Sequence, residues 1–229
     1  MNMIKAVIFD FNGTMFQDDD KHVISWKAFA LQEFSYHLSD EEFPLHIHGY
    51  SNYEILKYLS GKEFSKKEVK EYATRKELQY QKICEEDQDN LHLTSGLVPF
   101  LDALKERGVP LYICTASMEP NVLWYLKVFE LEKWFPRSHI IFDDGTIEHG
   151  KPDPEIYQKA IAKTGVLPEE CLVFEDARSG ILSASRAGVK HIIAISEKGK
   201  ELKKEEQINV DAFLPDFENV PEVLMKLSL

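Results

Sequence analysis

Most of this chain alternates short, unbroken apolar runs with longer stretches whose apolar residues recur every third or fourth position. Its beginning does not. Lys5-Ala-Val-Ile-Phe9 reads as a buried strand that ends at Asp10 and runs into the turn Phe11-Asn12-Gly13-Thr14. From there to about residue 90 only the helical period is present. His22 to Phe34 carries Val23, Trp26, Phe29, Ala30 and Phe34 on one face. Ser39 and Glu42 have capping-box spacing, with Pro44 keeping any helix there short. Tyr53 to Leu59 predicts a helix ended by Gly61. Ser65 to Glu85 predicts a long, charged one, opened by a Ser65–Glu68 capping box, with Val69, Tyr72, Ala73, Leu78 and Ile83 as its sparse stripe.

After Thr94 strands and helices alternate. Helices are expected at Gly96–Arg107, Pro120–Phe129, Pro154–Thr164 and Ser179–Ala187. Strands are expected at Pro110–Cys114, His139–Phe142, Cys171–Phe174 and His191–Ile195, with an edge strand at Asp211–Leu214 and a short helix to close. Apolar strands separated by helices mean a parallel sheet covered on both faces. The fold class is therefore α/β: a Rossmann-like, doubly wound core from residues 1–15 and 91–229, with residues 16–90 inserted after the first strand as an all-helical cap. A crossover connection is the alternative for that block, but it is far longer than a crossover needs.

Composition narrows the function. The 229 residues are 44% hydrophobic and 29% charged, ordinary for a water-soluble chain. A formal net charge of -12 argues against a nucleic-acid backbone as partner, which needs clustered Lys and Arg, while leaving room for an anionic substrate at a locally positive site. Cys84, Cys114 and Cys171 are odd in number and widely spaced, which points to reduced thiols in small-hydrophobe roles. No signal peptide and no bilayer-length apolar run is visible, so a cytoplasmic protein with no membrane partner is expected, and the acidic surface makes a monomer the default.

The candidate chemistry sits at strand ends, where such sheets bind ligands. Asp10 ends the first strand, Thr115 the second and Glu175-Asp176 another, while Gly150-Lys151-Pro152-Asp153-Pro154 is a rigid turn that presents a lysine. A nucleophilic carboxylate, a hydroxyl donor, a cation and an acidic pair suit phosphoryl transfer through an aspartyl-phosphate. The acidic pair can hold a hard divalent ion, with Mg2+ the natural candidate. Thr14, Thr115, Ala116 and Ser117 are the candidates for holding phosphoryl oxygens, and Lys151 for offsetting the charge on Asp10. Singly, each has a plainer reading as a turn or helix cap. All four in this order are much harder to ascribe to turns.

Together they resemble the signature of the haloacid dehalogenase superfamily of phosphatases and phosphomutases. Asp10-Phe-Asn-Gly-Thr14 is similar to its opening motif, Thr115 to its Ser/Thr position, Lys151 in Gly-Lys-Pro-Asp-Pro to its lysine, and Phe174-Glu-Asp-Ala-Arg-Ser-Gly180 to its acidic element. The helical insertion, with His22 and Trp26-Lys27-Ala28, most resembles the β-phosphoglucomutase-like branch. The resemblance implies Mg2+-dependent chemistry on a small phosphorylated metabolite. It makes Asp10 the nucleophile and a metal ligand, with Glu175, Asp176 and the Asn12 carbonyl completing the metal set and His22 facing the substrate. Lys21, His22, His48 to Asn52, Arg75 and Lys76 are the candidate substrate contacts. The family's mutases carry a basic residue after Gly-x-Ser, where Gly49-Tyr50-Ser51 is followed here by Asn52.

Position 12 departs from the family. An aspartate there would protonate the leaving group and then assist water, which an amide cannot do. The catalyst is then slow, or draws a proton from His22, His46 or His48, or carries a replacement introduced to trap an intermediate, or regains the acid by deamidation at Asn12-Gly13. A branch that cleaves carbon–halogen bonds without a metal would waste the Glu175-Asp176 pair. One that cleaves phosphonates through a Schiff base on a cap lysine such as Lys21, Lys27 or Lys57 has little to mark it, since lysines are common on helices and nothing in the sequence singles one out as buried. A catalytically silent, ligand- or partner-binding member is the non-enzymatic alternative.

Overall fold

A computed structural model describes residues 4–47, 52–195 and 209–227. His48, Gly49, Tyr50 and Ser51 from the sequence analysis lie outside them. The chain forms two compact units: Met1–Gln17 with His92–Leu229, and Asp18–Leu91.

The first unit is a six-stranded sheet of order β3-β2-β1-β4-β5-β6, built from β1 (Ala6–Phe9), β2 (Leu111–Met118), β3 (Ile140–Asp143), β4 (Cys171–Glu175), β5 (His191–Ile195) and β6 (Ala212–Leu214). Every pairing is parallel. The two faces of β1 are both covered, which is why it reads as an unbroken apolar run. Ala6 and Ile8 pack into a core with Val173, Ile156, Ile181 and Ala184. Phe9 points the other way, stacked 5.1 Å from Phe174 and ringed by Phe100, Phe135 and Phe217. Phe9 is in register with Phe174, and the Asp10 N–H extends that ladder by donating to the Phe174 carbonyl at 2.9 Å. One residue further, Asp10 and Glu175 therefore leave the sheet side by side.

The helices of this unit are α5 (Leu97–Glu106), α6 (Glu119–Val128), α7 (Glu155–Thr164), α8 (Arg178–Arg186) and a closing α9 (Val220–Leu227); α5 to α8 follow the apolar periods read from the sequence. Phe16 and Gln17 belong with the strands rather than with the insertion. The Gly13 N–H donates to the Phe16 carbonyl, Gln17 Nε2 donates to the Gly13 carbonyl, and the Phe16 ring packs on Phe129.

The second unit holds α1 (Asp19–Phe34), α2 (Phe43–His46), α3 (Asn52–Ser60) and α4 (Lys66–Glu86) around Trp26, Phe29, Ala30, Leu38, Ile47, Ile55, Leu56 and Leu59. Helix α1 begins three residues before the periodic stretch that predicts it. Its first turn is polar, Asp19 and Asp20, so no apolar period marks it, and those carboxylates suit a helix N-terminus. The Ser65–Glu68 box forms, with both reciprocal bonds, at the head of α4. Ser39 and Glu42 make the same reciprocal pair, but only a turn and the four-residue α2 follow. No helix among the described residues is long and apolar enough to cross a membrane.

Candidate active site

Asp10 is 6% exposed at the end of β1. A carboxylate there needs a compensating cation, and the turn before α7 supplies one. Lys151 Nζ donates to Asp10 Oδ1 at 2.6 Å and to Glu175 Oε1 at 2.5 Å. Burial by itself would lower the Lys151 pKa; the charges of Asp10 and Glu175 outweigh it and raise it above 10.5. Lys151 is thus a fixed cation and no proton carrier. Cys114, packed in the core nearby, is pushed up by burial and stays a thiol.

Glu175 is almost wholly used by the protein. Its Oε1 also accepts from the Tyr157 hydroxyl at 2.8 Å, and its Oε2 from the backbone N–H groups of Asp176 and Ala177 at 3.1 and 3.4 Å. Two glycines make room for this acidic pair. A Cβ on Gly180 would fall 1.8 Å from Glu175 Oε1, and one on Gly13 would fall 2.3 Å from Asp176 Oδ2. Gly13 also has φ +74°, which glycine adopts without strain. Asp10, Glu175 and Asp176 each present an oxygen within 4.8 Å of the others, close enough to share one cation. An all-oxygen, carboxylate-rich donor set suits Mg2+. A second group, His149, Asp153 and Glu155, lies at the surface, and the half-buried Glu155 there braces the turn by accepting from the Glu148 and His149 N–H groups.

The remaining predicted residues gather on the β2 side of Asp10. Asn12 Oδ1 accepts from Ser117 Oγ at 2.7 Å and lies 3.5 Å from Thr115 Oγ1. Asn12 Nδ2 donates to the Tyr125 hydroxyl at 2.8 Å. Thr115 is buried, and its Oγ1 accepts the Ser117 N–H, whereas Ala116 is exposed. Thr14 is fully buried, and its Oγ1 has no hydrogen-bond partner among the described residues. A buried hydroxyl is ordinarily paired, so this one is a departure within the loop that carries Asp10 and Asn12.

His22 belongs to the helical unit, where a polar cluster surrounds it. Its ring stacks on Tyr80 at 4.3 Å, its Nε2 lies 3.2 Å from Asp18 Oδ2, and its Nδ1 lies 3.2 Å from Lys76 Nζ. Lys76 is 2% exposed and also donates to Glu77. The cap lysines weighed for Schiff-base chemistry are all paired: Lys21 with Asp20 and Asp87, Lys27 with Asp40, Lys57 with Glu63. Burial opposes the charge on Lys21, but the hydrogen bonds it donates to Asp20 and Asp87 raise its pKa, and the one Lys57 donates to Glu63 raises that of Lys57. An amine nucleophile needs the opposite shift.

Sequence reasoning missed Tyr125 and Tyr157. Both lie on inward helix faces, where an aromatic reads as core, and nothing in a periodic pattern shows where a hydroxyl points.

Comparison with known proteins gives the family. Residues 4–188 match the haloacid dehalogenase-like hydrolases. The chain is similar to a phosphorylated carbohydrates phosphatase of Thermotoga maritima, 28% identical over 84% of this chain and 85% of that one. It is also similar to a β-phosphoglucomutase of Bacillus subtilis, 30% identical over 81% of each. Among solved structures, a family IA, variant 3 hydrolase from Entamoeba histolytica superimposes with a TM-score of 0.87 at 35% identity, covering 99% of this chain and 100% of that one.

Proposed function

The chain belongs to the haloacid dehalogenase-like hydrolase family, and within it we propose a Mg2+-dependent phosphatase-like enzyme that takes a phosphoryl group from a small phosphorylated metabolite, a sugar phosphate in particular, onto Asp10. The observation that carries this reading is the buried Asp10 carboxylate held by Lys151 and flanked by Asp176 at a sheet's carboxyl edge.

Asp10 forms the new O–P bond as the P–O bond to the leaving alcohol breaks; water then cleaves the aspartyl-phosphate to phosphate and restores the carboxylate. Lys151 offsets the negative charge gathered on Asp10 and the incoming dianion. Asp10, Asp176 and the Asn12 carbonyl would hold Mg2+. With both oxygens of Glu175 engaged, that residue serves chiefly to anchor Lys151. When bound, the ion supplies charge neutralisation for phosphoryl oxygens. Thr14 and Thr115 are the hydroxyl donors for those oxygens, since the Ser117 hydroxyl is engaged by Asn12. Asn12 offers hydrogen bonds but no transferable proton, so both steps lack an acid/base worth roughly 10²–10⁴-fold. The Thermotoga and Bacillus relatives support a phosphorylated sugar as substrate.

The amide at position 12 favours one second reading, a phosphomutase-like transfer in which the aspartyl-phosphate outlives attack by water. The deciding experiment is phosphate release from a panel of phosphorylated metabolites, with and without Mg2+, by the chain, Asn12→Asp and Asp10→Asn. Mg2+-dependent release that Asp10→Asn abolishes supports the enzyme. Ligand-induced stabilisation with no release from any variant would replace it with a silent binding protein.

A further inference from the structure

The three polar groups around position 12 form a closed figure. Ser117 Oγ donates to Asn12 Oδ1 at 2.7 Å, Asn12 Nδ2 donates to the Tyr125 hydroxyl at 2.8 Å, and the Ser117 and Tyr125 hydroxyls are 3.5 Å apart. Each corner of this triangle comes from a different element: the loop after β1, the end of β2, and α6. The Ser117 N–H donates to Thr115 Oγ1 at 3.1 Å, which fixes the serine backbone in turn. Tyr125 is 2% exposed, and its ring stacks on Phe11 at 4.1 Å. A phenylalanine would supply that stacking equally well. The hydroxyl is an added polar group in a buried place, costly unless it is paired, and it pairs with Asn12, the departure from the family's opening motif.

Resting on the phosphoryl-transfer reading of Asp10, we propose that Tyr125 and Ser117 are positioning residues for Asn12. They clamp its carboxamide at both ends, so that position 12 presents a stationary hydrogen-bonding group two residues from the nucleophile. A free carboxamide would turn about its last side-chain bond among several orientations; one held through both oxygen and nitrogen keeps one plane.

A double-mutant cycle on the full chain tests this, with p-nitrophenyl phosphate and Mg2+ as the probe. Tyr125→Phe keeps the ring and removes only the hydroxyl. It is expected to lower kcat by about threefold to tenfold, the loss of one hydrogen bond, while KM stays within about twofold. Ser117→Ala should act in the same direction and Ser117→Thr should restore activity. In an Asn12→Ala background, Tyr125→Phe should change kcat no further, since its effect passes through the missing amide. The Asn12 side-chain NH2 pair, identified in a proton–nitrogen spectrum by its loss in Asn12→Ala, should shift in Tyr125→Phe. An unchanged kcat in Tyr125→Phe, or an equal loss in the Asn12→Ala background, overturns the proposal. If no phosphoester is turned over at all, the phosphoryl-transfer reading falls. The NH2 pair then decides the clamp alone: a pair unmoved by Tyr125→Phe refutes it.

Discussion

Replacing Glu175 with alanine would disturb more than a carboxylate, because four donors converge on it: Lys151 Nζ at 2.5 Å, the Tyr157 hydroxyl at 2.8 Å, and the N–H groups of Asp176 and Ala177 at 3.1 and 3.4 Å. The residue is 1% exposed, so little water can replace it. Breaking one side of a buried ion pair costs about 3–5 kcal/mol. At roughly 2–4 °C per kcal/mol for a chain of this size, Tm should fall by about 6–20 °C. Glu175→Gln keeps the shape and one acceptor oxygen, but turns an NH2 toward two backbone donors, so it should recover only part of the loss. The effect should also be flat in pH across the neutral range. The folded Lys151 pKa is raised above its ordinary 10.5, so the native state holds that proton more tightly. Its stabilisation is complete below about pH 10.5 and is lost only as pH rises further. Thermal unfolding of the three proteins between about pH 7 and 9 is the assay. A Glu175→Ala protein that melts within about 2 °C of the parent would refute the idea that this carboxylate anchors the site.

Three further outcomes can be checked directly. Gly13→Ala should abolish Mg2+-dependent stabilisation in thermal melts, because its Cβ would meet Asp176 Oδ2 at 2.3 Å and its φ of +74° strains any other residue. Hydrogen bonds from Tyr36, Tyr58 and Ser39 hold the Glu42 carboxyl down to about 2, so its contribution to the helical unit is present above pH 4.5 and lost as pH falls from there toward 2; urea unfolding followed by circular dichroism should show a shallower acid slope in Glu42→Gln. Asn12-Gly13 should resist deamidation in the folded chain and yield to it in urea, read by peptide mass. Gly13 N, the atom that must attack the side chain, already donates to the Phe16 carbonyl at 2.7 Å, and both ends of the carboxamide are held.

What was legible in the sequence follows from which features leave a periodic trace. The strand ends are readable because both faces of β1 and β4 are buried, so their apolar runs stop abruptly where Asp10 and Glu175-Asp176 begin. The helical insertion is readable because its periodic stretches all carry the 3.6-residue period and no strand-like apolar run falls between them. By contrast, the start of α1 is hidden by polar Asp19 and Asp20, and β2 continues to Met118, past its last strongly apolar residue, through an irregularity between Cys114 and Met118. The hydroxyls of Tyr125 and Tyr157 were also hidden, since an inward aromatic satisfies the core pattern whether or not it carries an oxygen. Glu175 shows a subtler limit. Its place in the acidic pair was plain, but only the four donors around it show that its oxygens are already used.

Position 12 decides what the proposed chemistry produces. A carboxylate nucleophile needs no base to form the aspartyl-phosphate, and a substrate with a good leaving group needs no acid. Hydrolysis of the intermediate is different, because the attacking water must lose a proton and Asn12 cannot take it. The missing base should therefore slow the second step more than the first, by roughly 10²–10⁴-fold, and label from a phosphoryl donor should accumulate on the protein. Incubation with a ³²P-labelled acyl phosphate and Mg2+, followed by acid quenching, measures this. The chain as it stands should retain about one equivalent of label per site, Asn12→Asp should lose it rapidly with release of phosphate, and Asp10→Asn should take up none. Equal lifetimes of the label in the parent chain and in the Asn12→Asp variant would show that another group deprotonates the water, and would move the search to the polar residues of the helical unit, His22 and His46 first among them.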